Sequence, residues 1–444
     1  MIRVCRILLI PAIIFLLLLS AIAPSGSFEL ESIQNDFGKD SHIIENVSYV
    51  SQLSGHCFFA CMEMIYDYYG IDNLDQTEIN VLQGMSYNLV YQPSKQSLTK
   101  IPIVKPPYKY SFLSTMASNQ GNDDIKFLAN LLGLEVQNLN TGDLGKSNRD
   151  SWNDYWKIVK EEINNETPII TCVDFFVWPP FMEVSSIPAI AGLVERGGHS
   201  ILIVGYNESN STICVHDPYP GEEKQPEKGT YRWVPLKIFK RALRRSYWDI
   251  ENSDYDMYII KKVSEPAHSN DEIFRLCHER NIEKLKGNIS AYDSDFISPN
   301  FKTFGIEAWR ELKNDYEKYF LAFLPFYRVL NKINGMPIDY SIVAYDFEVD
   351  CLIETSNYLS LKAELLENQS LKDMCTFESE LFYNESIKME ELTNLTKNLK
   401  EAVNKKILIK AIYESEPIIE EICNIIDEII SIKEQIIAGP QGGI

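Results

Sequence analysis

The chain has 444 residues, 45% of them hydrophobic and 11% aromatic, and carries a formal net charge of -21. That length exceeds what one core usually organises, and the apolar content is too high for a disordered chain, so two folded units are expected. The charge excludes nucleic acid as a partner, because affinity for phosphates rests on clustered Lys and Arg, and it sets the chain against anionic membranes.

Residues 1–23 read as a secretory signal: Arg3 and Arg6 precede the apolar run Ile7 to Leu19, and Ala21-Ile22-Ala23 is a small-residue cleavage pattern. The run is long for a cleaved signal and short for a bilayer span, so a retained N-terminal anchor is the other reading. Either makes the protein secreted or extracytoplasmic, in keeping with asparagine acceptor patterns running from Asn46 to Asn394. The nine cysteines show no CxxC pair and no dense framework, and most read as core residues rather than bridges.

Residues 24–45 are polar and mixed, which predicts a mobile lead-in. Ser54 can cap a helix running from Gly55 through Cys57, Cys61, Ile65 and Tyr68, with Gly70 as its left-handed stop. Cys57 then falls in the first turn, where the helix dipole favours an anion. Asp75 to Gln83 reads as a second helix and Pro93 to Pro107 as a loop. Asn122 or Asp123 caps a helix ending at Gly133, Leu134 to Leu139 alternates as a strand, and Ser151 to Asn164 is helical. Pro168 to Val173 reads as a buried strand delivering Asp174 ahead of the stiff Trp178-Pro179-Pro180 loop.

Ser200 to Tyr206 and Thr212 to Val215 flank a polar turn and read as a hairpin. With the turn centred near Glu208, His199 and Asp217 stand directly opposed, their Cβ atoms roughly 4.5 to 5.5 Å apart. His216 would point to the other face, toward solvent or into a structural role. Tyr231 to Val234 and Tyr255 to Val263 close the sheet, giving a domain over residues 46–263, and 264–270 read as a linker. Beyond it strand signals nearly vanish. Glu307 to Phe320, Val349 to Leu366, Glu390 to Ile412 and Pro417 to Ile437 read as helices of an all-α domain over 271–438, followed by a tail, 439–444. In the last helix Ile418, Ile422, Ile425, Ile429, Ile432 and Ile436 form a heptad-like stripe of the kind that packs a bundle.

Cys57, His199 and Asp217 supply the three groups that thiol catalysis needs: a sulfur held as thiolate, an imidazole to move the proton, and a carboxylate to orient the imidazole. Four segments then match a known family. They are His56-Cys57 opening a helix that ends at Tyr69-Gly70, the strand from Pro168 to Asp174 followed by two aromatics, His199 leading the strand to Gly205-Tyr206, and Val215-His216-Asp217-Pro218. From Val47 to Val263 the chain resembles the butirosin biosynthesis protein H N-terminal domain family, similar in layout to papain-like and bacteriocin-processing (C39) cysteine peptidases. The resemblance implies an α+β papain-like (C39-type) domain ahead of the helical one. It also implies acyl transfer through a Cys57 thioester, with His199 as base and Asp217 as orienter. Gln52 stands five residues before Cys57, where those peptidases place their oxyanion glutamine six before. His56 stands where C39 peptidases have aspartate, which favours the butirosin-type relatives.

The expected substrate is acyl or peptide-like, with water or an amine as the acyl acceptor. His56, Asp174 and Trp178 are candidates for the substrate cleft, Asp174 reading equally as a loop cap. A zinc set of His56, Cys57, Cys61, His199 and Asp217 is disfavoured by its spacing, and no metal or cofactor motif is found. The reading from another class is a papain-like binding module without turnover, whose helical domain contacts a partner.

Overall fold

In the computed structural model the described residues are 40–53, 55–71, 74–87, 90–91, 122–140, 148–174, 178, 198–219, 228–243, 255–288, 303–310, 313, 340–366, 369–401 and 405–437. Their strands are β1 (Ser41–Ile43), β2 (Val90–Tyr91), β3 (Leu134–Asn140), β4 (Ile169–Asp174), β5 (Gly198–Asn207), β6 (Thr212–His216), β7 (Arg232–Pro235), β8 (Asp256–Lys262) and β9 (Thr303–Phe304). The principal helices are α1 (Cys57–Tyr68), α2 (Gln76–Leu82), α3 (Asn122–Leu131), α4 (Asn148–Asn164), α5 (Leu236–Leu243), α6 (Asn270–Leu285), α7 (Tyr340–Leu365), α8 (Gln369–Glu401) and α9 (Lys405–Ile437).

Seven strands form one antiparallel sheet in the order β3-β8-β4-β5-β6-β7, with β1 also on β5, while β2 and β9 pair separately. β5 carries the architecture: on one edge it pairs with β4 through residues 198–203 and with β1 through 205–207, and on the other with β6. Both faces of β5 are covered, so Ile201, Leu202, Ile203 and Val204 are all buried and the strand reads as an unbroken apolar run. Helix α1 lies over the face bearing Tyr258, which Phe58 meets edge-on at 5.2 Å. Residues one step along a strand point the other way. Tyr155 of α4 therefore bonds Thr171 Oγ1 from the opposite face at 3.0 Å, and Phe239 of α5 packs beside that tyrosine.

Several sequence expectations change. Ser41–Ile43, read as the end of a mobile lead-in, is a strand on β5, and His42 bonds Glu166 at 2.7 Å. His216 is fully buried between Tyr231 and Tyr49 and takes the structural of its two readings; burial lowers its pKa to about 4. The stretch read as a linker ends in a helix start, Ser269 capping α6 through Glu272 N–H at 3.3 Å. In the helical region α7 begins at Tyr340 rather than Val349, and the helix expected over Glu390 to Ile412 is divided between α8 and α9.

Pro417, expected to open the last helix, lies inside α9. Its missing N–H leaves the Tyr413 carbonyl without a helical partner, which is tolerated because both residues face solvent. The isoleucine stripe is broader than a heptad seam, since Ile419, Cys423 and Ile426 are buried along with Ile422 and Ile429. The stretch from Glu307 to Phe320 is described only over 307–310 and 313; the signal, the 93–107 loop and the tail lie outside the described residues.

The two halves share a buried polar boundary. Lys284 of α6 ion-pairs with Asp124 of α3 at 2.9 Å and donates to the Gln83 carbonyl, Tyr358 of α7 donates to Glu78 at 2.7 Å, and Ser86 Oγ donates to the Cys351 carbonyl at 3.0 Å. Buried polar groups without partners cost free energy, so this boundary favours one fixed arrangement of the halves. Among the described residues no helix is long and apolar enough to cross a membrane.

Candidate active site

The site begins with a turn. His56 N–H bonds the Leu53 carbonyl at 3.1 Å, and Gly55, the third residue of that turn, has φ +74°, a conformation glycine adopts without strain. Ser54, the expected cap, lies outside the described residues. His56 is the N-cap residue, without a side-chain cap bond, so Cys57 is the first residue of α1 and its N–H needs no helical partner. Gln52 N–H bonds the Pro218 carbonyl at 2.8 Å, which ties the chain before Cys57 to the chain after Asp217.

His199 is the second residue of β5 and Asp217 follows β6. Their relation differs from the hairpin expectation. Leu202 faces His216 and Ile203 faces Val215, so by continuation Ile201 stands across from Asp217 and His199 lies two residues further on. A bulge between Ile203 and Gly205 helps set this register. A shift of two preserves the face, and the diagonal is within reach of long side chains. His199 Nε2 and Asp217 Oδ1 are accordingly 2.8 Å apart, both residues buried.

Because Nε2 is engaged by Asp217, Nδ1 is the imidazole atom left for Cys57, whose sulfur hydrogen-bonds His199. Burial alone would raise the Cys57 pKa, but the His199 bond and charge, with bonds to Ser200, outweigh it and hold the thiol below its ordinary value. Burial likewise opposes charge on His199; the Asp217 charge and hydrogen bond, aided by Cys57, overcome it and raise the imidazole to about 10. Both shifts favour the thiolate–imidazolium form of the pair. Cys61, one turn along α1, is a buried thiol raised well above its ordinary value by burial.

Asp217 is held on every side. Oδ1 also accepts from Tyr219 N–H at 3.0 Å, Oδ2 accepts from Trp178 Nε1 at 2.7 Å with Arg232 Nη1 at 3.4 Å, its carbonyl accepts from Tyr49 Oη at 2.9 Å, and its N–H bonds the Gly229 carbonyl at 2.9 Å. Gly229 has room for no side chain: an added Cβ would lie 2.3 Å from Tyr49 Oη and 2.4 Å from the Asp217 carbonyl oxygen. Gly229→Ala is expected to displace Tyr49 and tilt Asp217. Labelling of Cys57 by iodoacetamide at neutral pH should then fall roughly tenfold, measured by mass spectrometry, with the secondary structure retained.

The structure thus brings Cys57, His199 and Asp217 together, with Gln52 beside them on the same loop. Gln52 Oε1 is buried without a hydrogen-bond partner. Trp178, a candidate for the cleft, is instead buried against Asp217, because its indole N–H finds there the acceptor a buried tryptophan needs. His56 also leaves the cleft: it is buried, with Nε2 2.9 Å from Glu354 Oε2 on α7, which removes it from any set with Cys57 and Cys61. Asp174 is buried at the end of β4, opposite Gly198 and next to the Val173–His199 pair. Among the described residues no group of three or more His, Cys, Asp or Glu is arranged to hold a metal, and the eight cysteines from Cys57 onward are not disulfide-bonded.

Ser200, Arg232, Tyr49 and Glu354 complete the surroundings without a sequence signal of their own, save that Ser200 follows His199. The arrangement of a cysteine at a helix start, a histidine leading a strand and an acidic orienter defines the papain-like class of cysteine-centred α+β domains. Residues 44–250 match the Peptidase_C39 like family, so the sheet-bearing half of the chain is a C39-like domain. The match is to this class and gives the butirosin-type relationship no separate support. No curated protein matches the chain.

Proposed function

We propose that the protein is an exported cysteine-dependent acyl-transfer enzyme. The observation that carries this reading is the unbroken chain from the Cys57 sulfur through His199 to the buried Asp217 carboxylate. The Cys57 thiolate attacks an acyl carbonyl, a C–S bond forms, and the leaving group departs with the proton that His199 Nδ1 gives up. His199 then takes a proton from water or an amine as that nucleophile displaces the thiolate. The tetrahedral oxyanion of each step meets the Cys57 N–H at the start of α1 and the Gln52 side-chain amide. The leader reading of residues 1–23 supports export, and the acidic surface leaves the substrate as an acyl or peptide-like molecule rather than a polyanion.

The test is to acylate the full chain with an activated ester, isolate the Cys57 acyl-enzyme, and follow its partition between water and increasing amine. Rising amide product supports transfer, hydrolysis at every amine concentration makes the protein a hydrolase, and no acyl-enzyme at all overturns the reading in favour of a binding module. In the same assay Gln52→Ala is expected to slow acylation by about 10² to 10³, the usual cost of one oxyanion donor, with little effect on iodoacetamide labelling.

A further inference from the structure

Glu354 belongs to α7 in the helical half, yet its Oε2 lies 2.9 Å from Nε2 of His56, the residue preceding Cys57. The same oxygen accepts a hydrogen bond at 3.2 Å from Nδ2 of the buried Asn80 on α2. On either side of it along α7, Cys351 and Tyr358 are bonded to Ser86 and Glu78, so the carboxylate is delivered from a helix fixed at both flanks. His56 makes no side-chain cap bond to its own helix, and its Nδ1 is buried without a partner. The polar contacts of its ring are with Glu354 and Asn80. Its backbone is committed as well: the N–H closes the turn from Leu53 and the carbonyl accepts the first helical bond, from Ala60 N–H at 2.9 Å. Ring, turn and helix start therefore move as one piece.

The His56–Cys57 peptide supplies the Cys57 N–H. We propose that Glu354 is a positioning residue for the Cys57 site, acting through His56 to fix the plane of that peptide and hence the aim of the oxyanion donor. The proposal rests on the acyl-transfer reading above. It makes the helical half part of the active centre: the C39-like domain alone lacks the group that holds the residue before its nucleophile. Glu354 does not contact the sulfur or His199, so its effect falls on the tetrahedral transition state and not on the thiolate. A donor displaced by about an ångström is enough to cost one to two powers of ten.

The experiment uses the full chain and two reagents, p-nitrophenyl acetate, which needs an oxyanion donor, and iodoacetamide, which needs only the thiolate. Glu354→Ala is expected to slow acylation of Cys57 roughly 10- to 100-fold in its maximal rate, with the alkylation rate and its pH midpoint unchanged. Glu354→Gln, which keeps the length and an acceptor, should lose only about threefold. In a His56→Ala background neither substitution should cost anything further. An equal fall with both reagents, an unchanged acylation rate, or losses that add in the double variant would overturn the proposal. Should Glu354→Ala not fold, Glu354→Gln with and without His56→Ala decides the matter by the same ratio of the two rates. A wild-type protein that is alkylated but never acylated overturns the acyl-transfer reading itself, a result distinct from acylation that ignores Glu354.

Discussion

Replacing His199 with Ala is expected to lower acyl transfer by about 10⁴-fold or more, as removal of a base from a cooperating unit does elsewhere. It should also erase the selective reactivity of Cys57. With His199 present the thiol titrates below 9.0 and should be labelled by iodoacetamide near neutral pH. The buried Cys61 and Cys277 are pushed the other way, Cys277 to about 12, and should lag behind. Without the imidazolium only the Ser200 bonds oppose burial, so the Cys57 pKa should rise and neutral labelling should fall toward the rate of the buried thiols. The ion pair also fixes a pH dependence of stability. The raised His199 contributes fully below 6.5, and that contribution is lost as pH rises through about 10. The lowered Cys57 contributes fully above 9.0, and that contribution is lost as pH falls through its folded value. The two trends run in opposite directions with pH. Asp217 is the larger cause of the raised His199 and remains in Cys57→Ala, so the difference in melting temperature between wild type and Cys57→Ala reports chiefly the Cys57 contribution. It should favour the wild type most near 9.0 and shrink as pH falls toward the folded value of the thiol. Labelling of Cys57 no faster than Cys61, or a difference that grows as pH falls, would count against the ion pair.

Much of this was legible because it is local. The helix around Cys57 announces itself by spacing and by Gly70, and β4 and β5 by runs of β-branched residues. The pairing of His199 with Asp217 was also within reach, since face alternation survived a two-residue error in register. What sequence could not show is long-range. Trp178 needed a buried acceptor that only the folded chain provides, and Asp217 is that acceptor. The meeting of His56 with Glu354 joins residues from opposite halves, which no periodicity encodes. The helical half was harder to bound for a different reason: a proline that faces solvent can sit within a helix without ending it, so Pro417 gave a false start to α9.

Asp217 carries the second large effect, and its surroundings explain why this position is an aspartate and not an amide. Donors approach both oxygens: His199 Nε2 and Tyr219 N–H at Oδ1, Trp178 Nε1 and Arg232 at Oδ2. An asparagine has one oxygen, so Asp217→Asn must turn its NH2 toward one of these sets. Turned to Trp178 and Arg232 it sets donor against donor. Turned to His199 it requires Nε2 as an acceptor, which moves the proton to Nδ1 and removes the base from the side facing Cys57. Either outcome should lower acyl transfer by about 10⁴-fold, the size of the effect when an orienting aspartate is exchanged for its amide in a catalytic triad. The stability cost should be about 1 to 3 kcal/mol, that of one buried donor left unmet. Asp217→Ala should cost more, about 3 to 5 kcal/mol, because it removes a buried anionic partner of the Arg232 guanidinium as well as the acceptor of the indole N–H. Urea unfolding separates the two variants, and the alkylation profile of Cys57 tests the mechanism. In Asp217→Asn the thiol midpoint should rise, since the charge that keeps His199 protonated is gone. A variant that keeps a low midpoint while losing acyl transfer would show that Asp217 acts by geometry alone.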